Sequence, residues 1–566
     1  MKRFLVRLKT FFFPPAGTPR WLRILPYAIL GLLTLLLIIA GGAAWEYTNS
    51  SAFCGTACHT MPPEYTSYLT SPHARVACVE CHLGRGFIAE NITRKAGDAK
   101  HIISLAFKQY EFPIEAQQLR PARETCEKCH FPEKFSDDSL REIKTYNNDV
   151  ENSLVSTFLI LKTGGGSTRL GLGQGIHWHI ENPVYYLASD KDEQEIPYIR
   201  YEEKNGSIIE YIDIESDFDP TEINEEDLKV MDCITCHNRI THLVPPPDDM
   251  IDQMITNGQI QQSIPEIRRI ALEIFSRSYK SSELALNSIA GIEDYYQTYY
   301  PEYYTENEIV VQDAITALQQ AYSQSVYPEQ KSDWNSHANN IGHDFSPGCF
   351  RCHDGQHINE ENEAVRLECN LCHSIPVVAD TSDFVTNIEI SRGPEPETHL
   401  NANWITLHRD VFDPTCVNCH TTEDPGGMSD TSFCSNSACH GSVWTYAGFN
   451  APKLRAILQE QLPPPYVEPQ APTGGPLTFE DTIGPVLELR CGSCHGKGGI
   501  EGLDLTTYES TMAGGDGGQS IVPGDPDNSL LVIKQTGEQA HFGQLTVEEL
   551  ELVTEWIIAG APETGE

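Results

Sequence analysis

Apolar residues follow several different periods along this chain. From Ile24 to Trp45 no side chain is charged, and Leu, Ile, Ala and Gly fill most positions. A run of about 22 such residues spans a bilayer core as a helix. Between 248 and 345 the apolar positions recur at helical spacing, as in Ile264, Ile267, Ala271 and Ile274, and predict a helical connector. Tyr198-Ile199-Arg200-Tyr201 and Ile208-Ile209-Glu210-Tyr211 flank Asn205-Gly206, which predicts a hairpin. Thr546 to Ala559 opens with a Thr-x-x-Glu box (Thr546, Glu549) and continues as an amphipathic helix.

The charges around the first run set its orientation. Lys2, Arg3, Arg7, Lys9, Arg20 and Arg23 precede it and Glu46 follows. The positive-inside rule therefore puts the N-terminus in the cytoplasm, with Trp21 and Trp45 at the two interfaces. The rival is a cleaved signal peptide ending near Gly42-Ala43-Ala44, but the apolar run exceeds an ordinary signal core. The expectation is one retained anchor in the cytoplasmic (inner) membrane, with everything after it extracytoplasmic, that is periplasmic.

Cysteine spacing adds the chemistry. All 18 cysteines fall into pairs followed at once by histidine. The first four are Cys54/Cys58 with His59, Cys78/Cys81 with His82, Cys126/Cys129 with His130, and Cys233/Cys236 with His237. The next four are Cys349/Cys352 with His353, Cys369/Cys372 with His373, Cys416/Cys419 with His420, and Cys434/Cys439 with His440. Cys491/Cys494 with His495 is the last. This pattern reads as covalent c-type haem attachment, nine haems in all, with each adjacent histidine as an iron ligand. Zinc sites or disulfides are the alternatives, and neither requires that neighbouring histidine. The first and eighth motifs are widened, with three and four residues between the cysteines.

The motifs divide the chain. The expected order is 1–48 cytoplasmic N-terminus and anchor, 49–247 a tetrahaem domain with an insert at 137–230, and 248–345 the helical connector. A second tetrahaem region at 346–460, a Pro/Gly-rich linker at 461–476 and a monohaem domain at 477–566 follow. The fold class is mainly α with extensive loops, a single transmembrane helix, haem-packed modules, a small β-hairpin insert and a C-terminal all-α cytochrome c-like domain. Motifs at 349 and 369, and at 416 and 434, are close enough to make their haems neighbours. The net charge of −41 excludes a nucleic-acid partner.

Each iron has a second axial position. Nine of the 20 histidines follow cysteines, leaving His73, His101, His177, His179, His242, His337, His343, His357, His399, His408 and His541. All but His101 are the candidate distal ligands, with at most one of His177 and His179 expected to serve, and His101 is an alternative ligand for the first haem. Twin imidazole ligation closes an iron to small molecules and suits it to electron transfer.

The first 245 residues resemble the NapC/NirT family of membrane tetrahaem quinol dehydrogenases. The resemblance rests on the anchor, Phe53-Cys54-Gly55-Thr56-Ala57-Cys58-His59-Thr60-Met61, Ser71-Pro72-His73, and Cys233-Ile234-Thr235-Cys236-His237-Asn238-Arg239-Ile240-Thr241-His242. It implies that Met61 competes with His59 as ligand of the first haem. It also implies a quinol site containing Lys95, with His101 where the family carries an acidic residue and Asp98 as an alternative base. The C-terminal piece is similar to single-haem cytochrome c domains through Cys491-Gly492-Ser493-Cys494-His495-Gly496, Val522-Pro523-Gly524-Asp525-Pro526 and Trp556-Ile557-Ile558-Ala559-Gly560-Ala561-Pro562. Its expected distal ligand is His541, with Met512 as runner-up.

The implied function is oxidation of menaquinol or another quinol and relay of electrons to a downstream cytochrome, reductase or extracellular acceptor. The rivals are a passive wire fed by another subunit, and a nitrite- or hydroxylamine-type reductase with one open iron.

Overall fold

The computed structural model describes residues 9–565 apart from 85, 98, 117–119, 132–137, 165–174, 204, 381–400, 412–423, 425, 429–432, 442, 450, 463–474, 493 and 537–544. The described chain is mainly helical, with two small sheets. Helix α1, Arg20–Asn49, extends four residues beyond the uncharged run at each end. At 1.5 Å per residue it is about 45 Å long, enough to cross a bilayer and enter the head. Its Leu and Ile side chains are exposed, as a lipid-facing helix requires.

The hand-over from anchor to head is short. Ser50 follows α1, and its Oγ accepts the Phe53 N–H to start α2, Ser51–Thr56, which carries Cys54. After the helices Pro62–Thr70 and Cys78–His82 come two amphipathic ones, α3 (Ile88–Gly97) and α4 (Ala99–Ala106). Phe87, Ile92, Ile103 and Phe107 are exposed on or beside them, the apolar face expected of helices lying on a membrane surface.

Strands bind distant parts of the head together. β1 (Ser139–Tyr146) and β2 (Leu154–Leu161) form a hairpin, and β3 (Val184–Leu187), β4 (Tyr198–Glu202), β5 (Ile208–Asp213) and β6 (Lys229–Val230) follow. A one-turn helix, α5 (Trp178–Glu181), precedes β3. β7 (His357–Ile358) and β8 (Val377–Asp380) lie among the later motifs. The sheets run β1-β2-β8 and β6-β3-β4-β5-β7, every pair antiparallel. The expected hairpin at Asn205-Gly206 is β4–β5, with Gly206 at φ +88° and the Asn205 side chain accepting from Ser207 N–H. It is the middle of a larger sheet whose outer strands come from elsewhere in the chain.

Five helices then pack together: α6 (Pro247–Thr256), α7 (Ile267–Phe275), α8 (Ser282–Ala290), α9 (Ile292–Tyr299) and α10 (Pro301–Ser325). Ile251, Ile267, Ala271, Phe275, Ile289, Ile292, Tyr296 and Leu318 form their dry centre. Ile264 falls before α7 rather than within it, because Pro265 disfavours helix at the preceding residue and Glu266 adopts φ +55°. Ile264 is still fully buried. The turn of the β1–β2 hairpin plugs into this cluster. Asn152, itself buried, donates to the carbonyls of Gln262 and Ile264 at 2.8 Å. Arg268 donates to both oxygens of Asp252, at 2.6 and 3.0 Å, and to Asn148 Oδ1.

The C-terminal region has its own core around Ile483, Val486, Leu487, Val553, Trp556 and Ile557. Helices α11 (Gly484–Cys491) and α12 (Val547–Ile558) frame it. The Thr546/Glu549 capping box forms as the sequence predicts, and Glu549 also receives a bidentate pair from Arg490 next to Cys491.

Replacing Arg268 with Met leaves the buried Asp252 carboxylate without its partner. The expected cost is about 3–5 kcal/mol, read as an earlier urea transition of the helical cluster.

Candidate haem sites and the membrane edge

Spacing explains the shape of each motif. In a helical turn residues i, i+3 and i+4 share one face, so two thiols and an imidazole emerge together. The histidine N–H reaches the first cysteine carbonyl in five motifs: His130 to Cys126, His237 to Cys233, His353 to Cys349, His373 to Cys369 and His495 to Cys491, at 2.8–3.3 Å. Cys78–His82 is itself one helical turn. In the widened first motif Gly55 lies flat against the Tyr65 ring, where a Cβ would collide at 2.1 Å. Among the described cysteines none is in a disulfide.

The third motif forms a short 3-10 turn, with Cys129 N–H on the Cys126 carbonyl at 3.0 Å. The eighth motif departs from the common arrangement. Cys439 does not share a turn with Cys434, in keeping with the widened spacing of that motif. Residues five apart on a helix project about 140° apart, so Asn436 takes the first position instead. Its carbonyl accepts from Cys439 N–H at 3.0 Å and His440 N–H at 2.9 Å, and its side chain caps Ala438. Cys434 is left in the preceding 3-10 turn, Phe433–Ser435, while the Cys439 carbonyl accepts from Trp444 Nε1 at 2.9 Å.

The histidine rings meet in pairs. His73 faces His130 at 5.9 Å between ring centroids, His82 faces His242 at 6.2 Å, and His177 faces His237 at 6.4 Å. His179 faces His353 at 5.8 Å, and His343 faces His373 at 6.4 Å. Each pair joins one motif histidine to one histidine from elsewhere. Two imidazoles on one first-row metal, with bonds of about 2.0 Å, have centroids about 6 Å apart. The second ring nitrogen is fixed in several of them. Nδ1 donates to a backbone carbonyl in His242 (Glu64, 2.9 Å), His179 (Ile176, 2.9 Å), His373 (Ser374, 2.6 Å) and His353 (Arg366). That bond sets the tautomer and leaves Nε2 with its lone pair for a metal. Desolvation lowers His353 to about 4 and also lowers His179, His242 and His373, which keeps them neutral. These residues fit haem.

Both His177 and His179 face motif histidines, where the sequence led to the expectation that at most one would serve. His357 is corrected in the other direction. It is buried, with Nδ1 on Asp354 Oδ1 at 2.9 Å and Nε2 donating to the Ile196 carbonyl at 2.6 Å. No nitrogen remains for an iron. Burial opposes its charge, but the Asp354 carboxylate outweighs burial and raises its pKa.

The other candidates divide as follows. His337 is half-buried with Nε2 3.8 Å from Glu64 Oε1. His408 sits on the helix Trp404–Val411 with Nδ1 on the Ile405 carbonyl. His59 Nε2 meets the Tyr110 hydroxyl at 2.9 Å, and Met61 begins the helix Pro62–Thr70. Met512 packs against the C-terminal core. Asp98, His399, Cys416, Cys419, His420 and His541 lie outside the described residues. Sequence reasoning missed Glu64, which faces His242 Nδ1 at 3.0 Å and Arg239 at 3.5 Å. A lone glutamate between motifs carries no signal in the sequence.

Successive motifs touch. Cys54 of the first motif lies beside Cys78 of the second. Burial raises the thiols of Cys81, Cys233, Cys236 and Cys372, and a cysteine of another motif adds to each shift. That neighbour is Cys126 for Cys81 and Cys233, and Cys349 for Cys236 and Cys372. Thiols of neighbouring motifs thus lie close enough to feel one another's charge.

At the membrane edge Lys95 on α3 donates to Thr48 Oγ1 at 2.8 Å and to Asn49 Oδ1, and lies 4.9 Å over the Trp45 ring. Its charge also reaches the Cys54 thiol. His101 is on α4.

A membrane helix leading directly into a string of C-x-x-C-H turns, with histidines facing their histidines, defines a membrane-anchored c-type cytochrome with covalent haem. The chain belongs to the NapC/NirT cytochrome c family, whose N-terminal region matches residues 20–122. It is 38% identical over 349 residues to the cytochrome c-type protein ImcH of Geobacter sulfurreducens, covering 61% of this chain and 68% of that one. To the cytochrome c-type protein NrfH of Wolinella succinogenes it is 31% identical over 105 residues, 18% of this chain and 58% of that one. Residues 491–540 match the family described as Planctomycete cytochrome C. No solved structure matches the chain.

Replacing His357 with Ala strands the buried Asp354 carboxylate and Ile196 carbonyl, and should cost about 2–4 kcal/mol of stability. The haem spectrum should stay fully low-spin, since no iron loses a ligand. The pKa of His357 is raised on folding, so its contribution is full below the ordinary histidine range. It fades as pH rises through the raised value. The stability gap between the variant and its parent should therefore narrow in alkaline buffer.

Proposed function

We propose that this chain oxidises menaquinol or a related quinol at the outer face of the membrane. It relays the electrons through nine covalently held haems to an extracytoplasmic acceptor. The bound haems supply irons that take and pass on single electrons. The motif cysteines fix each group, the motif histidines hold one side, and His73, His242 and His343 hold the far side for motifs three, two and six. At motif one Tyr110 engages His59, which favours Met61 as the donor there.

The observation that carries the quinol reading is Lys95. It is a cation at the end of the membrane helix, over Trp45 and within reach of the first motif. An ammonium so placed can donate to a quinol oxygen and favour the oxyanion that forms as a proton leaves. His101, near neutral in its ordinary titration, and Asp98 are the bases proposed to take that proton toward the periplasm. The exposed apolar residues of α3 and α4 bring this corner into the lipid surface where a quinol diffuses. At the other end the acidic surface favours a downstream cytochrome or reductase presenting a basic patch.

One observation favours the tether reading. Lys95 already bonds Thr48 and Asn49, as a lysine that only braces anchor to head would. The detergent-purified protein should be reduced by a menaquinol analogue without added subunits. Lys95→Ala should slow that reduction about tenfold or more, equivalent to about 1.4 kcal/mol of barrier. Equal rates in both proteins would assign Lys95 to the brace and leave the chain a wire fed by another subunit. Pyridine haemochrome on the same preparation should give nine equivalents per chain. A fully low-spin spectrum unaffected by carbon monoxide would argue against the open-iron reductase.

A further inference from the structure

Motifs four and five belong to haem groups separated by more than a hundred residues, yet they are locked together. Arg351, between the cysteines of motif five, is buried and donates to the carbonyl of Thr235, between the cysteines of motif four, at 2.8 Å. Asn340 donates to the same carbonyl at 3.0 Å. Between these motifs runs α5. Residues two apart on a helical turn project about 200° apart, so one turn can serve two opposite directions. His177, the residue before α5, lies nearly parallel to His237 at 20° and 6.4 Å. His179, within α5, stands edge-on to His353 at 89° and 5.8 Å. Trp178 between them packs on Tyr201 of β4, with ring centroids 4.8 Å apart and planes tilted by 54°, and holds the turn to the sheet. The turn is also tied upstream, with Ile176 and His177 N–H bonded to the carbonyls of Lys162 and Thr163 at 3.0 Å. Lys162 N–H in turn reaches the Cys372 carbonyl.

We propose that His177 and His179 are the distal ligands of two different haems, those of motifs four and five, so that one helical turn clasps both haem groups into a single path. The proposal deepens the haem-relay reading above and rests on it. A protein in which either histidine is lost keeps its covalent haem, because the thioethers remain, but one iron loses its sixth ligand.

The test uses the full-length protein. His177→Gly and His179→Gly should each retain the parent's pyridine haemochrome count. Each should gain one high-spin haem per chain by electron paramagnetic resonance and bind one equivalent of carbon monoxide. The double variant should gain two, and added imidazole should restore the low-spin signal in all three. His177→Met and His179→Met should keep the iron six-coordinate and raise the midpoint potential of one haem each. A single glycine variant that keeps its haem and stays fully low-spin overturns the clasp while the haem-relay reading stands. A parent protein without haem at motifs four and five overturns both. Glycine variants whose high-spin signal imidazole does not quench, with methionine variants of unchanged potential, also overturn the clasp by assigning the effect to misfolding.

Discussion

The contact on which the head depends is one imidazole ring held opposite another. One ring of each pair is local, delivered by the same helical turn that carries the cysteines. The other arrives from far along the chain: His242 to His82, His179 to His353, His73 to His130. A covalent attachment by itself would leave each motif an independent bead. The facing rings draw distant segments together, because each pair closes a long loop, and carbonyl bonds to Nδ1 orient several of the rings. The sheets reinforce the same closures, with β2 on β8 and β5 on β7 joining the segments that also supply facing rings.

Charge is organised around the membrane. Six basic residues lie before or in the first turn of α1 and acidic residues dominate the head, so the anchor divides a positive tail from a strongly acidic head in a chain of net charge −41. Lys95 stands near that boundary. It reconciles two needs, since its ammonium rests on the Trp45 ring and on Thr48 and Asn49 while its stem lies among half-buried neighbours. Inside the head, charge is tolerated only where it is matched. Arg351 is spent on backbone carbonyls, and Arg268 on a buried carboxylate.

Much of this was legible in the sequence because its causes are local. The span of α1, the Thr546/Glu549 box and the β4–β5 turn each depend on residues within a few positions of one another. The C-x-x-C-H turns are likewise written in adjacent residues, and the widened spacing at Cys434/Cys439 already marked the pair that one turn cannot present. Ring pairing was only half legible. A count of free histidines supplies enough candidate distal donors, but nothing in Ile176-His177-Trp178-His179 says that two neighbours face different motifs, because that depends on where β4 holds Trp178. His357 misled for the same reason. It follows a motif histidine at short range, as His242 does, yet Asp354 captures one nitrogen and a segment 161 residues upstream presents the Ile196 carbonyl to the other. The role of Glu64 was invisible, since its partners His242, Arg239 and His337 come from three later positions.

The pairing of β2 with β8 also bears on how such a chain is made. Ile160 and Ser374 bond across a sequence separation of 214 residues. A polypeptide threaded across a membrane from its N-terminus must therefore expose the outer edge of β2 until the second half has emerged. An open edge invites pairing with a neighbouring chain, and contacts of such long range form slowly. Arg141, Glu142 and Lys144 stud β1, on the far side of the hairpin, so only the β2 edge waits. The β2 edge thus gains its partner only when residues 377–380 arrive.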